Sequence, residues 1–277
     1  MRHLNDHTTT EDDLRLRTQT WLPAGEPRAV LAFAHGQSDH SGRYGHVGEA
    51  LAGAGFALHM ADLRGHGESP GRRGHVMRFE EYRLDFDALV QSAWDIAPTA
   101  PYFIGGHSMG GLIALNAALD RPIGPRGVVV TGPLLRLAFE PPGWLVAVGR
   151  AAAVIAPTMA FSNQLDAQDL CHDPAVVREY EEDPLVHSQV SARAYTEMTR
   201  AETGTLAQAG RLEMPLLLLQ GGADRVVSPQ ASREFYERAG SADKTLRVYD
   251  GLYHEILNEP ENGQVLADLN EWLAQRA

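Results

Sequence analysis

Six short apolar runs, separated by longer segments with helical spacing, most constrain how this chain can fold. Each run is rich in aliphatic or aromatic residues and is bounded by Gly, Pro or Asp; the runs span residues 29–35, 56–62, 102–106, 127–132, 216–221 and 246–250. Such runs predict strands that are buried on both faces. Because they alternate with helical segments, the sequence predicts a doubly wound, mostly parallel sheet with helices on both sides.

The segments between the runs carry apolar residues at the spacing of an amphipathic helix. Val47 and Leu51 share one predicted helix face, and Phe79 and Phe86 share another. Ser228 precedes a proline, a pair typical of the N-cap and first residue of a helix. We therefore predict helices in most of the connections between strands.

Two stretches fall outside this alternation. Residues 1–13 are polar, so we predict that they are disordered, whereas residues 14–23 alternate apolar and polar side chains as an antiparallel edge strand does. Residues 133–209 contain no clear strand and are too long for a bare loop. We interpret 133–209 as a helical cap inserted over the sheet, and 1–132 with 210–277 as the core domain.

Charge and cysteine content exclude several classes of function. A formal net charge of −12 disfavours nucleic-acid binding, which depends on Lys and Arg that neutralise phosphates. Cys171 is the only cysteine, so no intrachain disulfide can form. The N-terminal residues lack the apolar centre of a secretory signal, and no run of about 18 apolar residues predicts a membrane span. We therefore expect a cytoplasmic protein.

The stretch Gly106-His107-Ser108-Met109-Gly110 matches the G-x-S-x-G motif. It follows an apolar run and precedes a helical segment, which is the context that places a nucleophilic serine on a sharp turn. A serine on such a turn has a strained backbone, so neighbours two positions away must lack side chains. We predict Ser108 as a nucleophile; the alternative interpretation is a glycine-rich structural turn.

The residues that would activate Ser108 follow later in the chain. A serine hydroxyl is a weak nucleophile unless a base removes its proton. Asp224 follows the run at 216–221, and His254 follows the run at 246–250. This is the order serine, acid, histidine that the motif leads us to expect. We predict that His254 is the base and that Asp224 orients it, with Asp250 as the alternative acid.

Other chemistries have weaker support in the sequence. Cys171 has no such turn motif around it, so we interpret it as buried or incidental. The twelve histidines form no H-E-x-x-H motif, and His35, His40 and His46 follow no recognised ligand spacing, so we predict no metal site. No P-loop lysine follows the glycines near Ser108, which disfavours a phosphate-binding loop.

A second loop is expected to complete the predicted site. The pair His35-Gly36 follows the first apolar run, where the second oxyanion donor usually lies. We predict the backbone N–H groups of Gln37 and Met109 as the two donors. Each such donor typically lowers the barrier by about 3 kcal/mol.

Several of these stretches together resemble the monoacylglycerol lipase and lysophospholipase-like family of the α/β-hydrolase superfamily. The stretches are "HGQSDHSGRY", "DLRGHGESPGRRGH", "GHSMGG", "LLLLQGGADRVVSP" and "YDGLYHEILNE". The resemblance runs from about residue 14 to the end and includes "EYEEDPLVHSQVSARAYTEM" in the predicted cap. It implies an α/β-hydrolase fold with a cap over Ser108, an acyl-chain tunnel, a polar pocket for glycerol and no cofactor.

The resemblance also implies roles for two groups of residues. Asp39 and Arg43 would belong to the polar end, although many family members have Glu at the position of Asp39. The alternative for this pair is a salt bridge within the loop or a contact that holds the cap. In the apolar stretch 141–157, a helix would line the acyl tunnel or, alternatively, contact membranes or micelles; the residues are Trp144, Leu145, Val148 and Ile155.

The leading functional hypothesis is therefore a serine hydrolase that cleaves monoacylglycerols or similar single-chain lipid esters through an acyl-enzyme. A lysophospholipase or a general carboxylesterase would use the same machinery and differ in the leaving alcohol. An acyltransferase, or a non-catalytic scaffold of the same fold, is the remaining alternative, and a scaffold would typically lack one residue of the predicted triad.

Overall fold

The computed structural model describes residues 1–120, 124–163 and 165–277. Its strands, in chain order, are β1 (Arg2–Thr9), β2 (Arg15–Leu22), β3 (Val30–Ala34), β4 (Ala57–Ala61), β5 (Tyr102–His107), β6 (Val128–Thr131), β7 (Ala160–Ser162), β8 (Gln189–Ser191), β9 (Leu216–Gly221) and β10 (Lys244–Tyr249). Its α-helices are α1 (Gly45–Gly53), α2 (Phe79–Ile96), α3 (Met109–Asp120), α4 (Gly143–Ile155), α5 (Pro174–Glu182), α6 (Ala192–Ala207), α7 (Pro229–Arg238) and α8 (Asn262–Ala274).

Eight of these strands form one sheet in the order β1-β2-β4-β3-β5-β6-β9-β10. The strands from β4 to β10 in that order are parallel, and β2 pairs antiparallel with β4. The doubly wound, mostly parallel sheet expected from the six apolar runs is confirmed. The Ser228 side chain caps α7 by accepting a hydrogen bond from the Ala231 N–H, as the Ser-Pro pair predicts.

The sheet has an apolar core on each face because its central strands are buried on both sides. One cluster joins the sheet to α2 and α3 and includes Phe86 and Leu112. The other joins it to α1 and α8 and includes Leu51 and Trp272. Burying one such side chain contributes roughly 1.5–3 kcal/mol. The two clusters hold the carboxyl ends of β5, β9 and β10 at one rigid edge.

The prediction that residues 1–13 are disordered is wrong. Residues Arg2–Thr9 form β1, which pairs antiparallel with β2 along its whole length and so replaces β2 as the outermost strand. The turn between them contains Asp13 at a φ of +62° and is closed by the Thr10 and Leu14 backbones. An exposed edge strand is held by backbone hydrogen bonds, and therefore its sequence needs no apolar alternation.

Residues 133–209, which we call the cap segment, contain α4, α5 and α6. The expectation of no strand in this segment needs one correction, because β7 and β8 pair as a short antiparallel ribbon. The ribbon is attached to the core: the Ser191 N–H donates to the Gly74 carbonyl at 2.9 Å, and the Asn163 side-chain amide donates to the Ser38 hydroxyl at 2.9 Å. The segment thus lies over the carboxyl edge of the sheet.

Candidate active site

Ser108 lies on the turn between β5 and α3 with a φ of +52°, a strained left-handed backbone for a residue with a side chain. The turn is tight because a Cβ atom on Gly106 would collide with the Gly110 backbone, and one on Gly110 would collide with the Ala34 carbonyl. The glycines two positions from Ser108 are therefore required by close backbone approach, as the motif predicts.

Asp224 and His254 form a hydrogen-bonded pair at the same edge of the sheet. His254 Nδ1 and Asp224 Oδ2 are 2.8 Å apart, and both side chains are almost fully buried. Because Nδ1 donates its proton to this carboxylate, the Nε2 atom of the neutral ring is left free to accept a proton. Asp250, the alternative acid, does not take this position.

Ser108 and His254 approach each other across the end of β6. The Ser108 N–H donates to the Thr131 carbonyl at 3.0 Å, and a Cβ atom on Gly132 would lie 3.3 Å from the His254 ring. The ring of His107, which precedes the serine, lies 4.6 Å from the His254 ring between centroids. The structure therefore brings all three predicted triad residues together at the carboxyl edge of the sheet, in a region that we call the corner.

The protonation of the Asp224–His254 pair follows from burial and charge together. Burial alone would lower the pKa of His254, but the adjacent Asp224 carboxylate raises it above its usual value. Burial alone would raise the pKa of Asp224, but His254 and the backbone N–H groups of Val226 and Val227 lower it. Asp224 is therefore ionised and stabilises a positive charge on His254.

Gln220 is a positioning residue that no pattern in the sequence singles out. Its side-chain amide donates to Asp224 Oδ2 at 2.9 Å, and its own carbonyl accepts from the Ser232 hydroxyl at 2.7 Å. Both residues are completely buried. The carboxylate that faces His254 is thus fixed on every side.

The predicted oxyanion donors belong to two segments that adjoin Ser108, the start of α3 and the loop after β3. Met109 is the first residue of α3, so its N–H has no acceptor within the helix. Gly36 lies against the serine, because a Cβ atom there would come within 3.3 Å of Ser108 Cβ. The side chain of Gln37 turns away toward the cap segment, where its amide donates to the Gln189 carbonyl at 3.2 Å.

Asp39 and Arg43 lie in a buried ion-pair network beside His254. Arg43 forms two hydrogen bonds of 2.7 Å with the Glu255 carboxylate and one of 3.1 Å with Asp39, whose second oxygen accepts from the Tyr44 hydroxyl. The Arg43 guanidinium also lies 4.8 Å above the Tyr180 ring of α5. The geometry thus favours the salt-bridge alternative over free substrate-binding charges.

The charges in this network are fixed by their neighbours. Burial alone would lower the pKa of Arg43, but the carboxylates of Glu255 and Asp39 raise it far above neutrality. Arg43 in turn lowers the pKa of both carboxyls, against the opposite effect of burial. One cation held between two carboxylates gives this network, which we call the polar wall, a net negative charge beside His254.

A cavity of about 490 Å³, which we call the Ser108 cavity, extends from the serine beneath the cap segment. Its lining is largely apolar and comes from the loop after β6, from α4, α6 and β7; it includes Leu134, Leu137, Leu145, Val148, Phe161 and Met198. A wider groove of about 840 Å³ beside α5 has a polar lining and does not reach Ser108, so it does not suit an acyl chain.

The four apolar residues predicted on α4 separate into two pairs. Leu145 and Val148 line the Ser108 cavity. Trp144 and Ile155 do not line it, and they are 70% and 84% exposed on the outer side of α4. The expectation that all four line a tunnel is therefore wrong for Trp144 and Ile155, because the helix buries only one face.

The alternative nucleophile and the metal alternative find no support in the described ranges. Burial raises the pKa of Cys171 to about 12, so its thiol stays protonated at neutral pH. His35 and His46 bond to backbone groups, and across residues 1–120, 124–163 and 165–277 no three His, Cys, Asp or Glu side chains are arranged to hold a metal ion. No helix in those same ranges is long and apolar enough to cross a membrane.

Comparison with known proteins identifies relatives of this architecture. The family described as serine aminopeptidase, S33, matches residues 25–261. A monoacylglycerol lipase from Mycolicibacterium smegmatis is 36% identical over 94% of this chain and 93% of its own length. An uncharacterized abhydrolase domain-containing protein from Dictyostelium discoideum is 35% identical over 96% of this chain, which spans only 28% of that longer relative.

A solved structure supports the same assignment. The crystal structure of a monoacylglycerol lipase from Paleococcus ferrophilus superposes with a TM-score of 0.85 at 35% identity, covering 95% of this chain and 99% of that one. The match thus includes the sheet, the cap segment and the corner that holds Ser108. The resemblance expected from the sequence is confirmed, and the chain belongs to the monoacylglycerol lipase family of α/β-hydrolases.

Proposed function

We propose that this chain is a serine hydrolase that cleaves the ester bond of monoacylglycerols, or of similar single-chain lipid esters, to a free fatty acid and glycerol. The observation that carries the proposal is the junction at Ser108, where a largely apolar cavity ends at a serine beside a buried His–Asp pair. A volume of about 490 Å³ lies within the range of small-molecule sites. The relatives named as monoacylglycerol lipases support this substrate class.

In the proposed first half-reaction, Ser108 is the nucleophile and His254 is the base. His254 Nε2 takes the hydroxyl proton while Ser108 Oγ forms a bond to the ester carbon, and the carbonyl electrons move onto oxygen. When the carbonyl re-forms, the bond to the glycerol oxygen breaks and His254 returns its proton to that oxygen. The acyl group stays on Ser108 and its chain lies in the Ser108 cavity.

The second half-reaction repeats these steps with water. His254 takes a proton from the water that attacks the acyl-enzyme, and then returns it to Ser108 Oγ as the fatty acid is released. The N–H groups of Gln37 and Met109 donate to the oxyanion that forms in each half-reaction. Asp224 keeps the His254 ring in the required tautomer and stabilises its cation. These steps need no cofactor.

The alcohol end of the site is assigned to the wall that contains Asp39 and Arg43. Because their charged atoms are already paired, they would shape the pocket and set its charge rather than bind the substrate as free ions. The net negative charge of this wall would attract neither a phosphate nor another anion. This favours neutral glycerol over the phosphorylated head group of a lysophospholipid.

The outer surface of the cap segment supports a transient contact with membranes or micelles. Of the twelve large apolar side chains that are exposed in the described residues, eight lie within 139–161. Four of these eight line the Ser108 cavity, and the other four, which do not, are Trp144, Val154, Ile155 and Met159. A concentrated apolar surface of this kind is typical of proteins that take substrate from a lipid phase. The cytoplasmic location that the sequence predicts is part of the same proposal.

A panel of substrates tests the proposed head-group preference. The kcat/KM values would be compared for a monoacylglycerol, the matching lysophosphatidylcholine, a diacylglycerol and a short p-nitrophenyl ester. We expect the monoacylglycerol to be the best long-chain substrate, because its head carries no phosphate and it has one chain. A higher kcat/KM for lysophosphatidylcholine would instead support a lysophospholipase, and a preference for the short ester would support a general carboxylesterase.

A further inference from the structure

Glu202 is an ionisable residue in the Ser108 cavity that the proposed reaction does not use. It lies on α6 and shares a helix face with Tyr195 and Met198, which also line the cavity. Leu137, Leu145 and similar apolar side chains form most of the remaining wall. A carboxyl group is therefore presented to the space that the acyl chain would occupy.

The fully buried acidic side chains are paired, and this contrasts with Glu202, which is half-buried at the wall of the cavity. Asp85 lies 2.7 Å from the Arg64 guanidinium, and Glu259 accepts from two backbone N–H groups, those of His172 and Tyr253. Within the described part of the chain, no cation and no hydrogen-bond donor pairs with the Glu202 carboxyl. An acyl chain that fills the cavity would displace water from this carboxyl, and an unpartnered polar group is costly once it is dry, which points to a partner on the substrate.

The protonation state of Glu202 follows from this environment. Burial raises the pKa of Glu202 to about 8, so the carboxyl is mostly uncharged at neutral pH. An uncharged carboxyl can donate through its O–H and accept through its C=O. The other ionisable groups that line the cavity are Tyr195, Asp166, Asp169 and Arg225. Arg225 is paired with Asp169 at 3.1 Å, and therefore its charge does not serve Glu202.

We propose that Glu202 makes the Ser108 cavity selective for esters whose acyl chain carries a hydroxyl or oxo group at the depth of this residue. The proposal rests on the proposed function, since it assumes that the acyl chain occupies this cavity. A plain methylene chain would leave the carboxyl without a partner and without water. An oxygen on the chain would restore the hydrogen bond, and sites built in this way discriminate strongly against analogues that lack the polar group.

The first experiment compares monoacylglycerols of one chain length with a hydroxyl or oxo group moved stepwise along the chain. We expect one position to exceed the plain chain in kcat/KM by about tenfold. Glu202→Leu should remove this preference and increase the rate with the plain chain, whereas Glu202→Gln should keep it. Met198→Leu, on the same helix face, is the matched control and should leave the preference intact.

The pH dependence of the preference separates the two kinds of chain oxygen. An oxo group needs a donor, so its advantage should be lost as the pH rises through the pKa of Glu202. A hydroxyl group can donate to the carboxylate as well as accept from the carboxyl, so its advantage should persist. Glu202→Gln, which always has a donor and an acceptor, should keep both advantages at every pH.

Equal kcat/KM values, within about twofold, for plain and oxygenated chains at every position would overturn the inference. So would a preference that survives in Glu202→Leu with its pH dependence unchanged. Circular dichroism and the unfolding temperature establish that each variant is folded. Failure of this inference leaves hydrolysis of plain monoacylglycerols intact, whereas failure of the proposed function would leave every monoacylglycerol in this series, plain or oxygenated, uncleaved by the wild-type chain.

Discussion

The corner that holds Ser108 and the cap segment above it satisfy their polar groups in different ways. At the corner, Asp224 accepts from His254, from Gln220 and from two backbone N–H groups, and Arg43 is paired with two carboxylates. In the cap segment, Glu202 has no such partner and α4 exposes apolar side chains.

This difference in hydrogen bonding assigns catalysis to the corner and substrate selection to the cap segment. Groups that are fixed by several hydrogen bonds need little reorganisation when charge develops, which suits the residues that carry a reaction. Polar groups without a partner and exposed apolar side chains suit recognition, because a substrate can supply the missing hydrogen bond and a lipid surface can bury the apolar side chains. We infer that the sheet edge determines which bond is broken, and that the cap segment determines which chain is accepted.

The largest expected effect on activity comes from removing the negative charge of Asp224. Asp224→Asn should lower kcat by about 10⁴, because the amide cannot hold the same His254 tautomer or stabilise its cation. Steady-state kinetics on a monoacylglycerol would measure this loss. Asp250→Asn is the matched control and should stay close to the wild type; an equal loss in both variants would contradict the assignment of Asp224.

The same pair predicts the acid side of the pH profile. His254 must be neutral to accept the serine proton, and Asp224 raises its pKa, so kcat/KM should fall as the pH drops through a value above the usual histidine pKa of about 6.5. In Asp224→Asn, burial of His254 is opposed only by the more weakly acting Glu255 and Asp39, and the acid limb of the residual activity should move to lower pH. An unmoved limb would assign this titration to another group.

A smaller effect, on stability, is expected from the polar wall. Glu255→Gln should lower the free energy of unfolding by about 3 kcal/mol, because it leaves Arg43 buried with one carboxylate in place of two. Denaturant unfolding measures this change, and Glu234→Gln, in an exposed pair with Arg136, should leave the midpoint near the wild type. Since the pKa of Glu255 is lowered in the folded state, this stability should be present at neutral pH and lost as the carboxyl protonates in acid.

The smallest effect is expected on the outer side of α4. Replacing Val154 and Ile155 with serine should lower the rate on lipid dispersed in vesicles by about two- to fivefold, since apolar burial at the surface is lost. The rate on a dissolved short ester should not change. Trp94→Ser, an exposed apolar residue on α2, is the control. Equal vesicle binding by all three proteins would contradict the proposed lipid contact.

The sequence was most informative where the chemistry depends on local pattern. The Gly106 and Gly110 spacing around Ser108 is required by one tight turn, and the apolar runs place Asp224 and His254 at the carboxyl ends of neighbouring strands. Ser108, Asp224 and His254 can therefore be predicted from the order of the apolar runs and from the motif alone. The helices from α1 to α3 and the helix after Ser228 were found for the same reason.

What the sequence missed depends on contacts between distant residues or on backbone pairing. Arg43 and Glu255 are 212 positions apart, and no local pattern indicates that they meet. Strand β1 is held by hydrogen bonds to β2 and has no apolar face to detect. Glu202 resembles any polar helix residue in the sequence, and only the fold of the cap segment turns it toward the Ser108 cavity.

Covalent labelling with a fluorophosphonate tests the central claim, that Ser108 forms the acyl-enzyme, most directly. Mass spectrometry of the digested protein should find one label per chain, on the peptide that contains Ser108, and prior incubation with a monoacylglycerol should slow its formation. Ser108→Ala should remain folded, take up no label and hydrolyse no ester. A label on another residue, or ester hydrolysis that persists in Ser108→Ala, would contradict the account.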